Sequence, residues 1–428
     1  MRQISNYLPD YNIIEFVNSI EKDLLTISSK RTGEVAFGLE KILKSFRNNQ
    51  IGVHHFSSLT GYAHGDLGRE VIDKVFADVF GAEKAAVRMQ FVSGTHAISS
   101  ALFGVLRPGD NLLSITGRPY DTLEEVIGLR GSNQGSLKDF GVEYNQINIF
   151  REETYDFTEL EKALDNSVKM IFIQRSCGYT WRPSMSIDLI SKVCAIIHNK
   201  QPECVCFVDN CYGEFVERME PTEVGADLIA GSLIKNPGGT IVPAGGYLAG
   251  KADLVEKACF RLTAPGIGID GGSSFDLNRI ILQGFFLSPQ MVSESLIGAD
   301  LVAGVFHKLG FDVKPLAGGF RGDVIQAVRI GDEKLIKEIC RVFQNFSPVG
   351  SFLNPISSKM PGYQNELIMS GGTFIDGSTS EFSADAPLRP PYNLYVQGGT
   401  HRSHIKLALI QAISRLVQAG FVDLPQTS

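Results

Sequence analysis

The sequence predicts an α/β protein with a large domain, built on a mostly parallel sheet covered by helices, and a smaller α+β domain at the C-terminal end. Three observations carry this reading. Apolar runs of strand length alternate with amphipathic helical stretches between about residues 85 and 250, the pattern of a parallel sheet clothed on both faces. Polar or small residues stand at the ends of those runs, where open α/β sheets gather their chemistry. From about residue 252 the alternation gives way to long helical stretches and fewer, shorter strand runs. At 428 residues the chain exceeds one ordinary core, which suits two lobes.

Residues 1–60 read as a helical arm. Ile13, Ile14, Val17, Ile20, Leu24 and Leu25 fall near a 3.6-residue period, and residues 34–46 repeat the pattern. Such helices have little core of their own, so they are expected to pack on another lobe or another subunit. Residues 61–68 read as a glycine-rich loop and 69–80 as a helix. Residues 85–91 read as a strand, and Ser93-Gly94-Thr95-His96 then opens a helix that ends at Arg107-Pro108-Gly109. A strand, a small-residue turn and a helix N-terminus together offer free N–H groups and a positive dipole end to an anion.

Four further strand runs follow: 111–116 before Tyr120, 168–174 before Arg175, 204–210 carrying Asp209, and 226–232 before Lys235. Helices at 121–129 and 187–198 separate them. The large domain is taken as 61–285 and the small one as 286–428. A helical stretch at 275–287 runs across the boundary, and the small domain holds helical stretches at 291–310 and 333–346, a strand run at 323–330, and a closing helix at 404–420. Residues 370–400 read as a long irregular loop, and loops of that length in compact lobes tend to bind something.

Composition excludes several classes. Apolar residues make up 43% and charged residues 20%, as in a globular protein with a large interior. A net charge of −7 points to no nucleic-acid or anionic-membrane partner. Uninterrupted apolar runs fall short of a membrane span, and the N-terminal residues lack the pattern of a signal peptide. Seven cysteines in apolar segments read as reduced thiols. Cys204, Cys206 and Cys211 lack zinc-site spacing, so no metal is expected. A cytoplasmic location follows. No G-x-G-x-x-G follows a first strand, which disfavours a nicotinamide dehydrogenase.

Lys235 is the centre of the reading. Leu228, Ile229, Ala230, Leu233 and Ile234 surround its approach, and five glycines follow it within fifteen residues. A lysine against apolar walls loses basicity and becomes a nucleophile for carbonyl groups. The glycines are expected to let backbone approach a flat ligand. Asp209, at another strand end, needs a cation, and a protonated ring nitrogen would supply one. With the turn at 93–96 as an anion site and Tyr120 as a flat wall, these parts match pyridoxal 5′-phosphate.

The blocks GYAHGDLGRE (61–70), FVSGTHAI (91–98), FVDNCYGEF (207–215), SLIKNPGGTIVPAGGY (232–247) and SADAPLRPPYNLYVQGG (383–399) resemble fold-type-I pyridoxal-phosphate enzymes of cysteine and methionine metabolism. The branch they resemble is that of methionine gamma-lyase-like and aluminium-resistance proteins, and the likeness covers nearly the whole chain. It implies a carbon–sulfur lyase acting on a sulfur amino acid by β- or γ-elimination. The alternatives are other chemistry on this scaffold (transamination, aldol cleavage, γ-replacement) or a non-catalytic metal-tolerance protein.

The resemblance also implies roles for residues. Lys235 binds the cofactor aldehyde and moves protons. Asp209 pairs with the ring nitrogen, and Gly94, Thr95 and Ser232 hold the phosphate. Tyr120 stacks on the ring and joins Lys235 as a catalytic residue. Tyr62 reaches the phosphate of a neighbouring subunit, which implies a homo-oligomer, a dimer sharing active sites and on to a tetramer. The family's Tyr-x-Arg clamp reads Tyr62-Ala63-His64 here, leaving Arg69 as the candidate arginine. Ile234 replaces a hydroxyl residue before the lysine, and Asp121-Thr122 replaces Gly-Cys. These departures bear on the substrate rather than the cofactor. For the substrate carboxylate a bidentate arginine is expected: Arg389 between Leu388 and two prolines first, then Arg402, with Arg175 also at a strand end.

Overall fold

In the computed structural model, which describes residues 10–152 and 154–425, the alternating region folds as expected into one seven-stranded sheet. Most of the stretch read for a signal peptide lies in residues 1–9, outside the described residues. Helices α1 (Tyr11–Asp23), α2 (Leu25–Asn48) and α3 (Leu67–Phe80) precede strand β1 (Lys84–Arg88) and helix α4 (Gly94–Val105). Then come β2 (Asn111–Ser114), α5 (Asp121–Ile127), β3 (Glu143–Gln146), α6 (Phe157–Ala163), β4 (Val168–Gln174) and α7 (Ile187–Lys200). Strands β5 (Val205–Asp209), β6 (Leu228–Ser232) and β7 (Gly246–Gly250) and helix α8 (Ala252–Leu262) complete the large lobe.

The strand order is β1-β7-β6-β5-β4-β2-β3. Only β7 runs antiparallel to its neighbours. β2, β4, β5 and β6 therefore end on one edge, and β1 points the same way. Each crossover helix buries an apolar face against the sheet, giving one core around Phe76, Phe80, Ile171 and Phe285 and another, on the opposite face, around Ile98, Leu102, Phe172 and Phe207.

The glycines after Lys235, expected to let backbone approach a flat ligand, stand against other segments of the chain. A Cβ on Gly239 would stand 2.2 Å from Gly284 O, one on Gly238 1.8 Å from Leu233 O, and one on Gly250 2.2 Å from Asp227 O. They let chain segments touch backbone to backbone.

The C-terminal lobe begins within α9 (Asn278–Lys308) and holds β8 (Asp312–Lys314), β9 (Gln326–Arg329), α10 (Glu333–Asn345), β10 (Leu367–Ser370), β11 (Ser383–Pro387), β12 (Asn393–Gln397) and α11 (Arg402–Gln418). Its sheet has the order β10-β11-β12-β9-β8 and is antiparallel throughout. Residues 370–400 are thus not one irregular loop: β11 and β12 lie within them as paired strands. Residues 371–382 remain irregular, while Ser383 and Asp385 of β11 and Gln397 of β12 face a cavity.

The two helical stretches expected at 275–287 and 291–310 are one helix. Pro289 lies inside α9 without ending it, and its ring packs where Gly38 of α2 leaves room. A Cβ on Gly38 would meet Pro289 Cγ at 2.8 Å. Of the described helices, α9 alone is long and apolar enough to cross a membrane, yet 67% of its most apolar window is buried inside the protein. It contributes Ile281 and Phe285 to the large-lobe core and Leu301, Val305 and Phe306 to the C-terminal core. The N-terminal arm packs on its own chain: Ile13, Phe16, Val17 and Ile20 of α1 enter the C-terminal core.

Candidate active site

The strand ends meet the C-terminal lobe in a cavity of about 190 Å³. Its wall includes Ser93, Gly94, Thr95, Tyr120, Asp209, Ser232 and Lys235. Six sequence-predicted residues (Lys235, Asp209, Gly94, Thr95, Ser232 and Tyr120) are therefore brought together from four different segments.

Lys235 follows the end of β6, and its Nζ donates to Gly377 O at 2.9 Å. The same amine lies 4.9 Å from the centroid of the Tyr212 ring. Ser380 Oγ donates to Lys235 O at 3.0 Å, so the loop before β11 grips the residue at both ends. Burial lowers the ammonium's pKa, against the pull of Cys211, Asp385, Glu214 and Asp209.

Asp209 closes β5. Its carboxylate accepts Cys211 N–H at 3.1 Å. Burial pushes its pKa up to about 6, because that bond and the distant charges of Lys235 and Arg182 offset the desolvation only in part. A buried carboxylate in this state favours a cation brought to it.

Across the cavity, α4 starts at Gly94 with Ser93 as its cap, the Ser93 hydroxyl accepting His96 N–H at 3.2 Å. A Cβ on Gly94 would come within 3.1 Å of Ser232 Cβ and 3.2 Å of Cys211 Sγ. The first turn of the helix is thus pressed against the end of β6. Thr95 and Thr122 share a hydroxyl–hydroxyl bond of 2.9 Å. Tyr120 lies before α5 with its hydroxyl 2.9 Å from that of Tyr363, and Tyr179 packs 5.4 Å away, centroid to centroid. Burial pushes the Tyr120 phenol well up, so it stays protonated.

These residues fit pyridoxal phosphate on the chemistry of the donor set. Helix N–H groups and hydroxyls at one end suit a phosphate, a proton-seeking carboxylate suits a pyridinium, and an amine of lowered basicity suits an aldehyde. Gln174 Oε1, buried and without a partner on the same wall, is a further acceptor.

The other predicted residues stand elsewhere. Arg175 is fully buried and bonds Asn210 Oδ1 at 2.8 Å, Glu217 at 3.1 Å and Glu220 at 3.3 Å. It braces the segment after β5. Arg402 forks onto Glu294 and joins α11 to α9. Arg69 points into loop carbonyls, those of Ala63 at 2.9 Å and Gly272 at 2.8 Å. Tyr62 is 82% exposed and stacks on His64, away from this cavity. Arg389 lies in the turn between β11 and β12, and its Nη2 reaches Tyr179 O at 3.4 Å. Burial raises the pKa of Asp121, and the charge of Arg389 offsets part of that rise. Cys204, just before β5, and Cys206 within it are core residues, and Cys211 lines the cavity. His198, Cys206 and Asp227 do cluster, but Asp227 already holds His198 Nε2 at 2.9 Å and Lys251 Nζ at 2.8 Å.

The sequence reading missed Tyr212, Tyr363, Asp385, Ser378 and Gly377. The tyrosine after Asn210-Cys211 was the one available signal, since it follows a functional strand end. The others come from the C-terminal lobe and meet Lys235 only through the fold.

A family model described as methionine gamma-lyase matches residues 13–417. The YnbB protein of Bacillus subtilis (strain 168) is 48% identical over 383 residues, covering 89% of this chain and 91% of that one. A crystal structure of a carbon-sulfur lyase involved in aluminum resistance from Clostridium novyi NT is 42% identical, with a TM-score of 0.91 over 95% of this chain and 96% of that one. The L-methionine gamma-lyase of Treponema denticola is 26% identical over 204 residues, 47% of this chain and 46% of that protein. Lysine, aspartate and helix terminus share one cavity, and the chain belongs to the methionine gamma-lyase family of pyridoxal-phosphate-dependent lyases.

Proposed function

We propose that this protein cleaves a carbon–sulfur bond of a sulfur amino acid by β- or γ-elimination in the cytoplasm, releasing a thiol, a 2-oxo acid and ammonia. The observation that carries it is the desolvated Lys235 amine sharing one cavity with Asp209 and the start of α4. The Clostridium novyi relative, whose structure overlays nearly the whole chain, is itself described as a carbon-sulfur lyase.

Pyridoxal phosphate, when bound, supplies an electron sink for charge developed at the substrate carbons. Gly94 and Thr95 at the start of α4, with Ser232, hold its phosphate. Asp209 keeps its ring nitrogen protonated, and Tyr120 lies against its ring. Lys235 is the amine that binds its aldehyde. With the cofactor bound, Lys235 Nζ would be placed to take the proton from the substrate Cα, and burial lowers its basicity in the direction that role requires. Tyr120 Oη, protonated and held by Tyr363, gives a proton to the departing sulfur.

Arg389 lies outside the walls of this cavity and of the compartment adjoining it, but it reaches Tyr179 O of that compartment, and it is the candidate anchor for the substrate carboxylate. Arg175 and Arg402 are both engaged by buried glutamates, whereas the one side-chain hydrogen bond of Arg389 among the described residues is a long one to a carbonyl. The departures at Ile234 and Asp121-Thr122 argue against methionine itself as the substrate.

The test is a screen of S-substituted cysteines and homocysteines with the purified holoenzyme. The expected outcome is 2-oxo acid and thiol in equal amounts, abolished in Lys235→Ala. Transfer of the amino group with no thiol released would overturn the reading.

A further inference from the structure

Beside the cofactor cavity lies a second compartment of about 130 Å³, and the two share Tyr120, Tyr212, Tyr363, Gly377 and Lys235 on their walls. Two carboxylates, Asp376 and Asp385, line the second one. Among its described lining residues Lys235 is the single cation. Arg389 is not on this wall. A substrate whose amine is engaged at the cofactor thus extends its sulfur substituent into anionic surroundings.

Asp385 sits in the middle of β11 and pairs with Tyr395 of β12. Both of its side-chain hydrogen bonds fall on one oxygen: Oδ2 accepts Tyr179 Oη at 2.8 Å and Gln397 Nε2 at 3.2 Å. Among the described residues Oδ1 has no hydrogen-bond donor. Ser383, two residues earlier on the same strand face, is 5% exposed and its hydroxyl has no partner. The Ser378 hydroxyl, 2% exposed on the same wall, has none either. Unpartnered buried hydroxyls are costly. Two of them beside a half-occupied carboxylate make a set of oxygen acceptors, and an ammonium carries three N–H donors. The Tyr120, Tyr179, Tyr212 and Tyr363 rings exclude water around them and offer faces that attract cations.

We infer that Asp385, with the hydroxyls of Ser378 and Ser383, is a receptor for a positively charged group at the far end of the substrate's sulfur substituent. This rests on the carbon–sulfur lyase reading and extends it: the preferred substrates are thioether amino acids bearing a distal ammonium. A substituent ending in a carboxylate alone meets Asp385 with like charge, and a purely apolar one leaves the three oxygens unpaired. Asp385 is a specificity residue here, separate from the proton transfers of Lys235.

The test compares two nearly isosteric thioethers on the holoenzyme, S-(2-aminoethyl)-L-cysteine and S-propyl-L-cysteine, by pyruvate release. Charge-assisted hydrogen bonds in a dry pocket predict a preference of about ten- to a hundredfold in kcat/KM for the aminoethyl compound. Asp385→Asn keeps shape and bulk but removes the charge, and should bring the ratio close to one, through KM for the aminoethyl substrate. Tyr179→Phe removes a hydrogen bond to Asp385 but leaves its charge, and should preserve the preference. The cofactor absorbance of each variant reports whether its site is assembled. Equal kcat/KM for the two compounds in the wild type overturns the inference while leaving the lyase reading intact. So does an Asp385→Asn variant that loses kcat alike on both, since the carboxylate would then be serving Lys235. Pyruvate from neither compound, together with no 2-oxobutyrate from their homocysteine homologues, would overturn the lyase reading and this inference with it.

Discussion

Asp209 shows most directly how the protein's energetics anticipate its ligand. The carboxyl has an ordinary pKa of 3.8 and is pushed up to about 6 by burial at the end of β5. In the cofactor-free protein the folded state therefore binds the Asp209 proton more tightly than the unfolded chain does. The favourable contribution is fully present below pH 3.8, falls away between about 4 and about 6, and is lost above that. At 1.36 kcal/mol per pH unit the difference amounts to roughly 3 kcal/mol. Asp209→Asn should accordingly raise the melting temperature of the cofactor-free protein at pH 8 and leave it little changed at pH 4, while weakening cofactor binding. Equal destabilisation at both pH values would mean that the amide disrupts packing and that desolvation of the charge is not the issue. Arg389 gives a second residue-scale expectation. Replacement by lysine keeps the charge but loses the planar fork, so Arg389→Lys should raise KM for amino acids about ten- to a hundredfold with the cofactor spectrum unchanged. Finding that effect in Arg402→Lys instead would move the anchor to α11.

At the scale of elements, the legible parts were those whose signal is local. The β4, β5 and β6 runs are continuously apolar, and the residues just past them, with the small turn that opens α4, stood out by contrast. Hence Lys235, Asp209, Gly94, Thr95, Ser232 and Tyr120 could be named before the fold was known. Arg175 and Arg402 looked equally available, because nothing in a sequence reveals that Glu220 and Glu294 wait for them across the interior. Asp385 was invisible for the same reason: β11 meets Lys235 only through tertiary packing. Pro289 misled because the local rule that proline ends helices does not see the tertiary packing that holds α9, which is buried in both cores on either side of the proline. The Arg402–Glu294 pair supplies a test of the structural role. Glu294 is buried in α9 and receives both the backbone N–H and the guanidinium of Arg402. Arg402→Met leaves that carboxylate with only the backbone donor, and about 1.5–3 kcal/mol of stability should go with the charged bond. In a chain of this size the expected sign is a melting temperature lower by a few degrees, with KM for amino acids unaltered. A raised KM at unchanged stability would mean that Arg402 meets substrate after all.

For the whole molecule, the open question is what completes the phosphate end of the cavity. Tyr62 stands outward in the loop before α3, tied by its carbonyl to Gly272 N–H at 3.1 Å. Around it the surface is unusually apolar: Leu59 is 47% exposed, Leu67 61%, Phe275 67% and Val92 81%. Val92 directly precedes the Ser93 cap of α4, so this surface runs up to the rim of the cofactor cavity. Large exposed apolar areas mark association sites, and a two-fold symmetric contact would place the same loop of each subunit at the other's cavity. The oligomer follows as a proposal: two copies join across this face, and the Tyr62 hydroxyl of one reaches the phosphate held by the other. Complementation reads this out directly. A Tyr62→Phe subunit lacks the hydroxyl but has Lys235, whereas a Lys235→Ala subunit lacks the amine but has the tyrosine. In a mixed dimer one cavity combines both defects and the other has neither. With random reassociation half the dimers are mixed, so about a quarter of all sites should be restored. Mixing the two variants under conditions of subunit exchange should therefore recover roughly that fraction of wild-type activity, in proportion to the hybrids measured by mass. Hybrids present in the expected amount but no more active than their parents would show that each subunit builds its site alone, and that the apolar rim serves some other contact.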